Sequence, residues 1–339
     1  MIKYSKKMFL VLLLLSIQTF SQEKLFLIEE GGLFGFINFE GRIIIQPTLT
    51  TRSNFVDGYS KQVQHFWFDT DVNFINTKGE TAIATTYEEA GFFSEGLAKV
   101  RKAVFFTSRK WGFIDTTGTE KISPRYSEAG NFYNGRALVI VRPFFLPQLE
   151  PDKFGYINYS GELVIPYQFD AAGDFSEYRA PVRMGNKKGF IDTTGAIVIP
   201  TEYDAAKNFS CGLAGVRKDT MWGFINTSGE IVLPFQFEEV RNFSEEIALV
   251  KKNGEWKFID KNGNKVFNIP FQNALSFSEG VTAFEQNNVW GYIDATGTTI
   301  IQPKFLEAAP FQNGLAFVET ATEKGYIDHT GTFVWKQKK

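Results

Sequence analysis

Large apolar residues alternate with small or polar ones in short stretches along the whole chain. In Trp222-Gly223-Phe224-Ile225-Asn226 the alternation has the period of two that is typical of a half-buried strand. A β-branched stretch such as Ile197-Val198-Ile199 comes next in each unit and stops at a proline such as Pro200, which has no N–H to donate to a sheet. The pattern predicts short antiparallel strands throughout and requires no helix.

The aromatic-Ile-Asn/Asp stretch recurs nine times, and each copy is followed three residues later by glycine. Repetition of this kind is the signature of a repeat architecture. Asn or Asp three residues before Gly predicts a type I turn, because the short side chain caps the turn and Gly accepts the positive φ that closes it. The aromatic positions are Phe36, Phe74, Phe113, Tyr156, Phe190, Phe224, Phe258, Tyr292 and Tyr326.

A second landmark, Phe-Ser-Glu-Gly or a variant, separates the copies. A third strand such as Leu213–Val216 follows it and leads to the next Trp-Gly pair. The predicted unit is therefore a three-stranded antiparallel meander plus a crossover loop. The landmark begins at Phe55, Phe93, Phe132, Phe175, Phe209, Phe243, Phe277 and Phe311.

These columns resemble the WG-repeat family, which is named for its Trp-Gly pair. The resemblance extends over nearly all of the chain after the first 21 residues. It implies a bacterial, often exported repeat protein and supplies no catalytic residues. The pair is replaced by Val72-Asn73, Lys188-Gly189 and Trp256-Lys257, where we expect weaker local packing rather than a different fold.

Two arrangements of these meanders are open: a curved open β-solenoid and a closed β-propeller-like toroid. Both ends of the array supply three strands of their own, so no strand is left over to complete a blade across the termini. Nine units also exceed the typical range of about four to eight propeller blades. The sequence therefore favours the open solenoid.

Insertions in the repeat identify a candidate binding surface. The usual period is 34 residues, but the first three copies are longer, always in the hairpin before the next Trp-Gly position. Such insertions emerge on one side of a stacked repeat and often mark a binding face. The aromatic residues of these insertions form either a recognition surface or a small core of their own. Trp67 is the first candidate for mutation, because tryptophan is enriched in binding hot spots. The candidates are His65, Phe66, Trp67, Phe68, Phe105, Phe106, Arg109, Phe144, Phe145 and Leu146.

The amino-acid composition limits the kinds of binding and catalytic site that the chain can form. Thirty-six Lys and Arg against 38 Asp and Glu give a net charge of -2, which offers no electrostatic footprint for nucleic acid. With one Cys and two His the chain has little material for a metal site or a His-based relay, and we expect no cofactor, metal or catalytic group. Cys211 takes a column otherwise occupied by Asp, Glu or Asn and is expected to face solvent.

The first residues have the pattern of a secretory signal peptide. Three lysines precede the apolar run 8–15, and small Thr19 and Ser21 suggest cleavage near Ser21. The run is well short of the roughly 20 residues of a membrane-spanning helix. We predict residues 1–21 as signal peptide, 22–335 as nine repeats in one array and 336–339 as a basic tail. The mature chain would be periplasmic, cell-surface or secreted, with no transmembrane segment.

The function expected from the sequence is an exported, non-enzymatic repeat scaffold that binds a protein partner at the cell envelope or outside the cell. A glycan-binding or adhesion module is the alternative, because aromatic loops also suit sugars. A hydrolase with an unrecognised site is the second alternative. It would need a non-repeating acidic or Ser/His constellation, and none stands out from the repeat columns.

Overall fold

The computed structural model describes residues 23–65, 70–104, 108–140 and 152–339, which form nine antiparallel sheets. Each sheet is contiguous in the chain, and we number the sheets as blades 1 to 9. No helix occurs in these four ranges. The predicted all-β class is confirmed, and most blades add a short first strand to the predicted meander.

Blade 1 contains β1 (Phe26–Glu30), β2 (Leu33–Ile37) and β3 (Ile43–Leu49), and blade 2 contains β4 (Ser60–His65), β5 (Thr70–Ile75) and β6 (Thr81–Ile83). Blade 3 contains β7 (Glu89–Ser94), β8 (Leu97–Val104), β9 (Ser108–Asp115) and β10 (Glu120–Tyr126). Blade 4 contains β11 (Glu128–Tyr133), β12 (Arg136–Ile140), β13 (Phe154–Ile157) and β14 (Leu163–Phe169). Blades 5 and 6 contain β15 (Ala171–Ala172), β16 (Arg179–Met184), β17 (Lys187–Asp192) and β18 (Ile197–Tyr203); and β19 (Ala205–Ala206), β20 (Leu213–Lys218), β21 (Met221–Asn226) and β22 (Ile231–Phe237).

The last three blades contain β23 (Glu239–Val240), β24 (Ala248–Lys252) and β25 (Glu255–Ile259); β26 (Asn273–Ala274), β27 (Val281–Gln286), β28 (Val289–Asp294) and β29 (Thr299–Phe305); and β30 (Glu307–Ala308), β31 (Ala316–Glu319), β32 (Glu323–Ile327) and β33 (Phe333–Lys338). β33 runs through Lys338, and Lys339 pairs with Glu319. Most of the predicted basic tail is therefore part of the last strand.

The nine blades close into a propeller-like ring. Phe26 and Ile28 of blade 1 share an apolar cluster with Leu315 and Tyr326 of blade 9. The Tyr326 hydroxyl also donates a hydrogen bond of 2.8 Å to the carbonyl oxygen of Leu27. Of the two predicted arrangements the closed toroid is thus the one found, and the preference for an open solenoid was wrong.

The open solenoid was favoured because no strand is shared between the two ends of the array, and the structure has this property. Blades 1 and 9 share no strand, because each is built entirely from its own end of the sequence. Every blade buries apolar residues on both faces, so the free faces of the first and last blades match each other as neighbours do elsewhere. Side-chain burial between these faces closes the ring without a shared sheet.

The glycine of the Trp-Gly pair is required by the path of the fourth strand. A Cβ added to Gly112 would lie 2.4 Å from the carbonyl oxygen of Ile122 and 2.6 Å from the nitrogen of Pro124. These atoms belong to the backbone of β10, which cannot move away as the end of a flexible side chain could. A side chain at this position must therefore displace the strand.

In the two blades that lack this glycine, the strand that corresponds to β10 is short or absent among the described residues. Blade 2 has Asn73 there and only three residues in β6, and blade 7 has Lys257 and no fourth strand among its described residues. Blade 5 keeps Gly189 behind Lys188 and has the seven-residue β18. The predicted local weakening thus follows loss of the glycine and not loss of the tryptophan.

The turn after each aromatic-Ile-Asn/Asp stretch is held by the Asn or Asp side chain. Asp192 Oδ1 accepts hydrogen bonds from the backbone N–H of Thr194 at 2.9 Å and of Ala196 at 3.2 Å. The hydroxyl of Thr194 also donates to this oxygen and, as the largest cause, holds the pKa of Asp192 below its usual value. Asn226 makes the same backbone contacts in blade 6.

We expect a D115N/D192N/D294N variant to lose less stability in acid than the wild type. The pKa values of all three carboxyls are lowered in the fold. Their contribution is therefore complete above the unfolded value of 3.8 and is lost as the pH falls below it. Urea denaturation at about pH 5 and about pH 3 measures the difference. Asn226→Asp is the reverse control and should steepen the acid loss, whereas equal acid loss in all three proteins would contradict the assignment.

Candidate functional site

We call the contact between two neighbouring blades a joint. The joint between blades 9 and 1 is more open than the others. The aromatic of the aromatic-Ile-Asn/Asp column is between 0 and 1% exposed in blades 1 to 8, but Tyr326 of blade 9 is half-buried. Trp335 is half-buried as well, although it takes the place of Ile301, which is 4% exposed. Among the nine copies of the aromatic-Ile-Asn/Asp column, Tyr326 is therefore the one whose ring is not fully buried.

The opening is explained by the edge of β1, beside which the described residues place no first-strand segment. In a regular joint the tyrosine of one blade donates its hydroxyl to the first-strand segment of the next, as Tyr156 does to Gly173 and Tyr292 to Ala309, both at 2.7 Å. In the described residues blade 1 begins with β1, which corresponds to the second strand of the four-stranded blades and pairs only with β2. Tyr326 accordingly donates to Leu27 in β1 instead.

The opening forms a cleft, which we call the seam cleft. Its inner part is a cavity of about 590 Å³ and its mouth a second cavity of about 640 Å³, and both parts share Glu29, Glu319, Lys324 and Gln337. The wall of the inner part is mixed, because Glu29, Arg52, Glu319 and Lys324 line it together with apolar side chains. The large apolar members are Leu27, Phe34, Phe92, Phe317, Tyr326 and Trp335.

The lining residues also locate the axis of the ring. Ala309 of blade 9, Leu27 of blade 1, Asn54 before blade 2 and Phe92 of blade 3 all line the same cavity. Segments of four blades can meet in one cavity only where the blades converge. The first-strand segments therefore lie at the inner edge of the ring.

Charged groups surround the mouth and the inner end of the seam cleft. Lys339 forms an ion pair of 2.6 Å with Glu319. At the inner end Arg52 is exposed, and burial raises the pKa of Tyr326 to about 12, against the opposing effect of Arg52. The Tyr326 hydroxyl is therefore protonated and available as a donor at neutral pH.

Two half-buried lysines lie beside the inner end. Lys61 Nζ donates to the carbonyl oxygen of Ala90 at 3.0 Å and lies 4.2 Å from the ring centre of Phe92, a residue of the cleft wall. Burial, followed by repulsion from Lys99, lowers the pKa of Lys61. Lys99 Nζ donates to Ala129 at 2.8 Å. The inner end of the cleft is thus close to positive charge.

One edge of the cleft is a strand edge. Antiparallel pairing alternates, so the backbone groups of Leu27 and Glu29 point away from β2. Their counterparts in blade 6 are Gly215 and Arg217, whose carbonyl oxygens accept hydrogen bonds from Lys207 and Asp204. In the described residues no strand occupies the matching position beside β1.

The structure places only two of the predicted binding residues. His65 ends β4, and Arg109 lies in β9, exposed and paired with Glu88. Phe66, Trp67, Phe68, Phe105, Phe106, Phe144, Phe145 and Leu146 lie outside the described residues. The strands flanking these insertions end on the same face of the ring as the β1–β2 hairpin, which borders the mouth of the seam cleft.

Cys211 was expected to face solvent, and this prediction was wrong. It is half-buried and packs against the apolar cluster of blades 6 and 7, because its turn lies against the neighbouring blade. Among the described residues no group of three or more His, Cys, Asp or Glu side chains is placed to hold a metal ion. The described residues also include no helix long and apolar enough to cross a membrane.

Comparison with solved structures gives only distant similarity. Apo AztD from Citrobacter koseri aligns with a TM-score of 0.42 and 8% identity over 93% of this chain and 94% of that one. An uncharacterised protein from Listeria monocytogenes EGD-e gives 0.40 and 10% over 84% and 91%. A puromycin hydrolase gives 0.41 and 10% over 85% of this chain and 53% of that one. Similarity at this level carries no information on ligand or activity.

Comparison with curated proteins gives no match. A family model described as WG containing repeat matches seven segments of the chain, at residues 74–103, 111–142, 154–187, 189–219, 222–256, 258–290 and 290–320. These segments comprise more than half of the chain and extend from blade 2 into blade 9, each running from one blade into the next. Together with the columns of the nine blades, the match shows that this chain belongs to the WG-repeat family.

Proposed function

We propose that this protein is an exported, non-enzymatic scaffold that binds a protein partner through the seam cleft. The observation that carries the proposal is the joint between blades 9 and 1, where half-buried Tyr326 and Trp335 adjoin the edge of β1. Accessible aromatic side chains among polar and charged groups, as in this cleft, are typical of protein recognition sites. In blades 3 to 9 a first strand of the chain itself takes the place beside the second strand. In blade 2 the hydroxyls of Thr51 and Ser53 accept the edge N–H groups of β4 instead.

The chemistry of the cleft supports a polypeptide ligand over a glycan. Trp335 and Phe317 could stack on a sugar ring, but a sugar has no regular row of N–H and C=O groups to match a strand edge. A polypeptide can both contact the apolar side chains of the wall and pair with the edge of β1. Glycan binding is therefore an outcome of the test and not the proposal.

The non-enzymatic assignment is supported by the bonding of the one serine hydroxyl that lines the inner cleft. Ser53 Oγ accepts the backbone N–H of Lys61 at 3.1 Å, and no histidine is among the residues that line the described cleft. A serine nucleophile needs an adjacent base. The hydroxyl of Ser53 instead holds the backbone at the inner edge.

A display experiment tests the proposed function. The purified chain is presented to a random peptide library and to a glycan array, beside a Trp335→Ala variant. We expect peptides to be enriched on the wild type and lost on the variant at unchanged secondary structure. An Ile300→Ala variant on the exposed outer strand β29 is the matched control and should bind as the wild type does. Enrichment of glycans alone would contradict the proposal.

Export is tested by the mass of the chain recovered from its natural host or a bacterial expression host. We expect a protein that begins near Gln22, because residues 1–21 match a cleavable signal. A Leu13→Arg variant interrupts the apolar run and should accumulate uncleaved. Recovery of the full-length wild-type chain from the cytoplasm would contradict export and leave the binding proposal to its own test.

A further inference from the structure

We propose that the seam cleft binds an extended segment that adds to β1 as the first strand of blade 1, and that the segment has the pattern Asp/Glu-Ala-Ala-x-x-Phe. This inference rests on the proposed function and specifies its ligand. The chain's own joints supply the evidence, because blades 5 and 6 contain this pattern in the corresponding place, at residues 170–175 and 204–209. The first-strand segments of blades 3, 4, 7, 8 and 9 keep its phenylalanine and vary at the other positions.

The acidic residue of the pattern has a receptor at the cleft mouth. In blade 6 the Asp204 carboxylate accepts the backbone N–H of Asp219 at 2.7 Å, and in blade 5 Asp170 accepts that of Gly185 at 2.6 Å. Both N–H groups belong to the hairpin that follows the second strand. In blade 1 the equivalent hairpin position is Gly31, which has a positive φ and lines the mouth.

The backbone of the segment would pair with β1. In blade 6 Asp204 N donates to the carbonyl oxygen of Arg217 and Lys207 N to that of Gly215, both at 2.9 Å. The equivalent acceptors are the carbonyl oxygens of Glu29 and Leu27. Leu27 already accepts the Tyr326 hydroxyl, and a carbonyl oxygen has a second lone pair for another donor.

Small residues and an aromatic complete the pattern. Ala206 lies in a column of small residues at the inner edge of the ring, which recurs as buried Ala129 in blade 4 and buried Ala274 in blade 8. Five residues after Asp204, Phe209 packs on Phe190 of the preceding blade with ring centres 4.8 Å apart. In blade 9 the equivalent ring is Tyr326, which is half-buried at the seam. An incoming phenylalanine would extend this aromatic contact.

The chain itself provides the probe. A labelled synthetic peptide with the sequence of residues 202–210, Glu-Tyr-Asp-Ala-Ala-Lys-Asn-Phe-Ser, is titrated into the full chain and followed by fluorescence polarisation. We expect saturable binding that a scrambled peptide does not show. Analogues in which Pro replaces the Lys, or Ala replaces the Phe, should bind about tenfold more weakly or worse, because each removes one of the contacts above.

A matched pair of protein variants tests strand addition. The Glu29 N–H points away from β2, so Glu29→Pro removes an edge donor while the pairing of β1 with β2 is retained. Glu29→Ala changes the side chain and keeps the donor. We expect about a tenfold loss of peptide affinity in the proline variant relative to the alanine variant. Hydrogen exchange at Leu27 and Glu29 should slow when the peptide binds.

Each result decides between defined alternatives. Equal affinity of the proline and alanine variants would overturn strand addition. Library peptides that bind the cleft while the 202–210 peptide does not would overturn the sequence pattern and leave the proposed function intact. Slow exchange at Leu27 and Glu29 in the free chain would show that residues of the same chain occupy the edge, which also overturns the inference. Absence of any peptide binding at the cleft would refute the proposed function itself.

Discussion

Replacing Gly112 by alanine is expected to destabilise the ring by about 3 kcal/mol or more, at the upper end of what overpacking costs. The new Cβ would lie 2.4 Å from the carbonyl oxygen of Ile122 in β10. Blade 2, where Asn73 stands in place of the glycine, shows the structural result, since its fourth strand is only three residues long. Urea denaturation measures the loss, and hydrogen exchange of the β10 amides locates it.

Gly91→Ala in the same blade is the matched control. A Cβ at Gly91 would approach Lys99 Cγ at 2.7 Å, Lys99 Cε at 3.2 Å and Asn131 Oδ1 at 3.3 Å, all of them side-chain atoms. The lysine side chain can change rotamer whereas a strand backbone cannot, so we expect a smaller loss of about 1–2 kcal/mol. Equal losses for the two variants would show that backbone crossing is not what requires the glycine of the Trp-Gly pair.

Phe224→Ala should cost about 3–5 kcal/mol, the range for a fully buried phenylalanine. Phe224 is 0% exposed, and its ring packs edge-on to that of Phe243 at 4.9 Å, across the joint of blades 6 and 7. The variant therefore removes apolar surface from both blades. Thermal and urea unfolding of the full chain measure the effect.

The equivalent change at the seam, Tyr326→Ala, provides the comparison. Tyr326 is half-buried, so the transfer term is smaller and we expect a loss of about 2 kcal/mol. Its phenol also donates to Leu27, and Tyr326→Phe separates the hydrogen bond from the ring contact. A loss at Tyr326 as large as that at Phe224 would contradict the description of the seam as the open joint.

The strands of each blade were predictable because their signals are local. Alternation around Phe224 and the Asn226 turn each depend on residues close together in the chain. The predicted stop at Pro234 was wrong, as at Pro47 and Pro200, because β22 runs through the proline to Phe237 and accommodates it at a shift in the pairing register. The first strand was missed because Ala205–Ala206 is only two residues long and alanine has a weak strand preference. Its pairing with β20 depends on tertiary packing.

Ring closure could not be predicted from local signals. It depends on the rotation between neighbouring blades summed over nine joints, and no single repeat contains that quantity. Pattern counting could, however, have indicated the seam cleft. The aromatic-Ile-Asn/Asp stretch occurs nine times but the Phe-Ser-Glu-Gly landmark only eight, and the copy without a recognised landmark is the first. The missing landmark corresponds to the open joint in the structure, where Tyr326 and Trp335 are half-buried.

The meeting of blades 1 and 9 also determines how the ring responds to force. Both ends of the described chain lie at the seam, so tension applied through them is carried first by the contacts of Phe26 and Ile28 with Tyr326 and by the bond from Tyr326 to Leu27. In the part of the chain that the structure describes, no backbone ladder crosses this joint, whereas each blade is held internally by one. Under load the ring would part at the seam and become an open arc of intact blades.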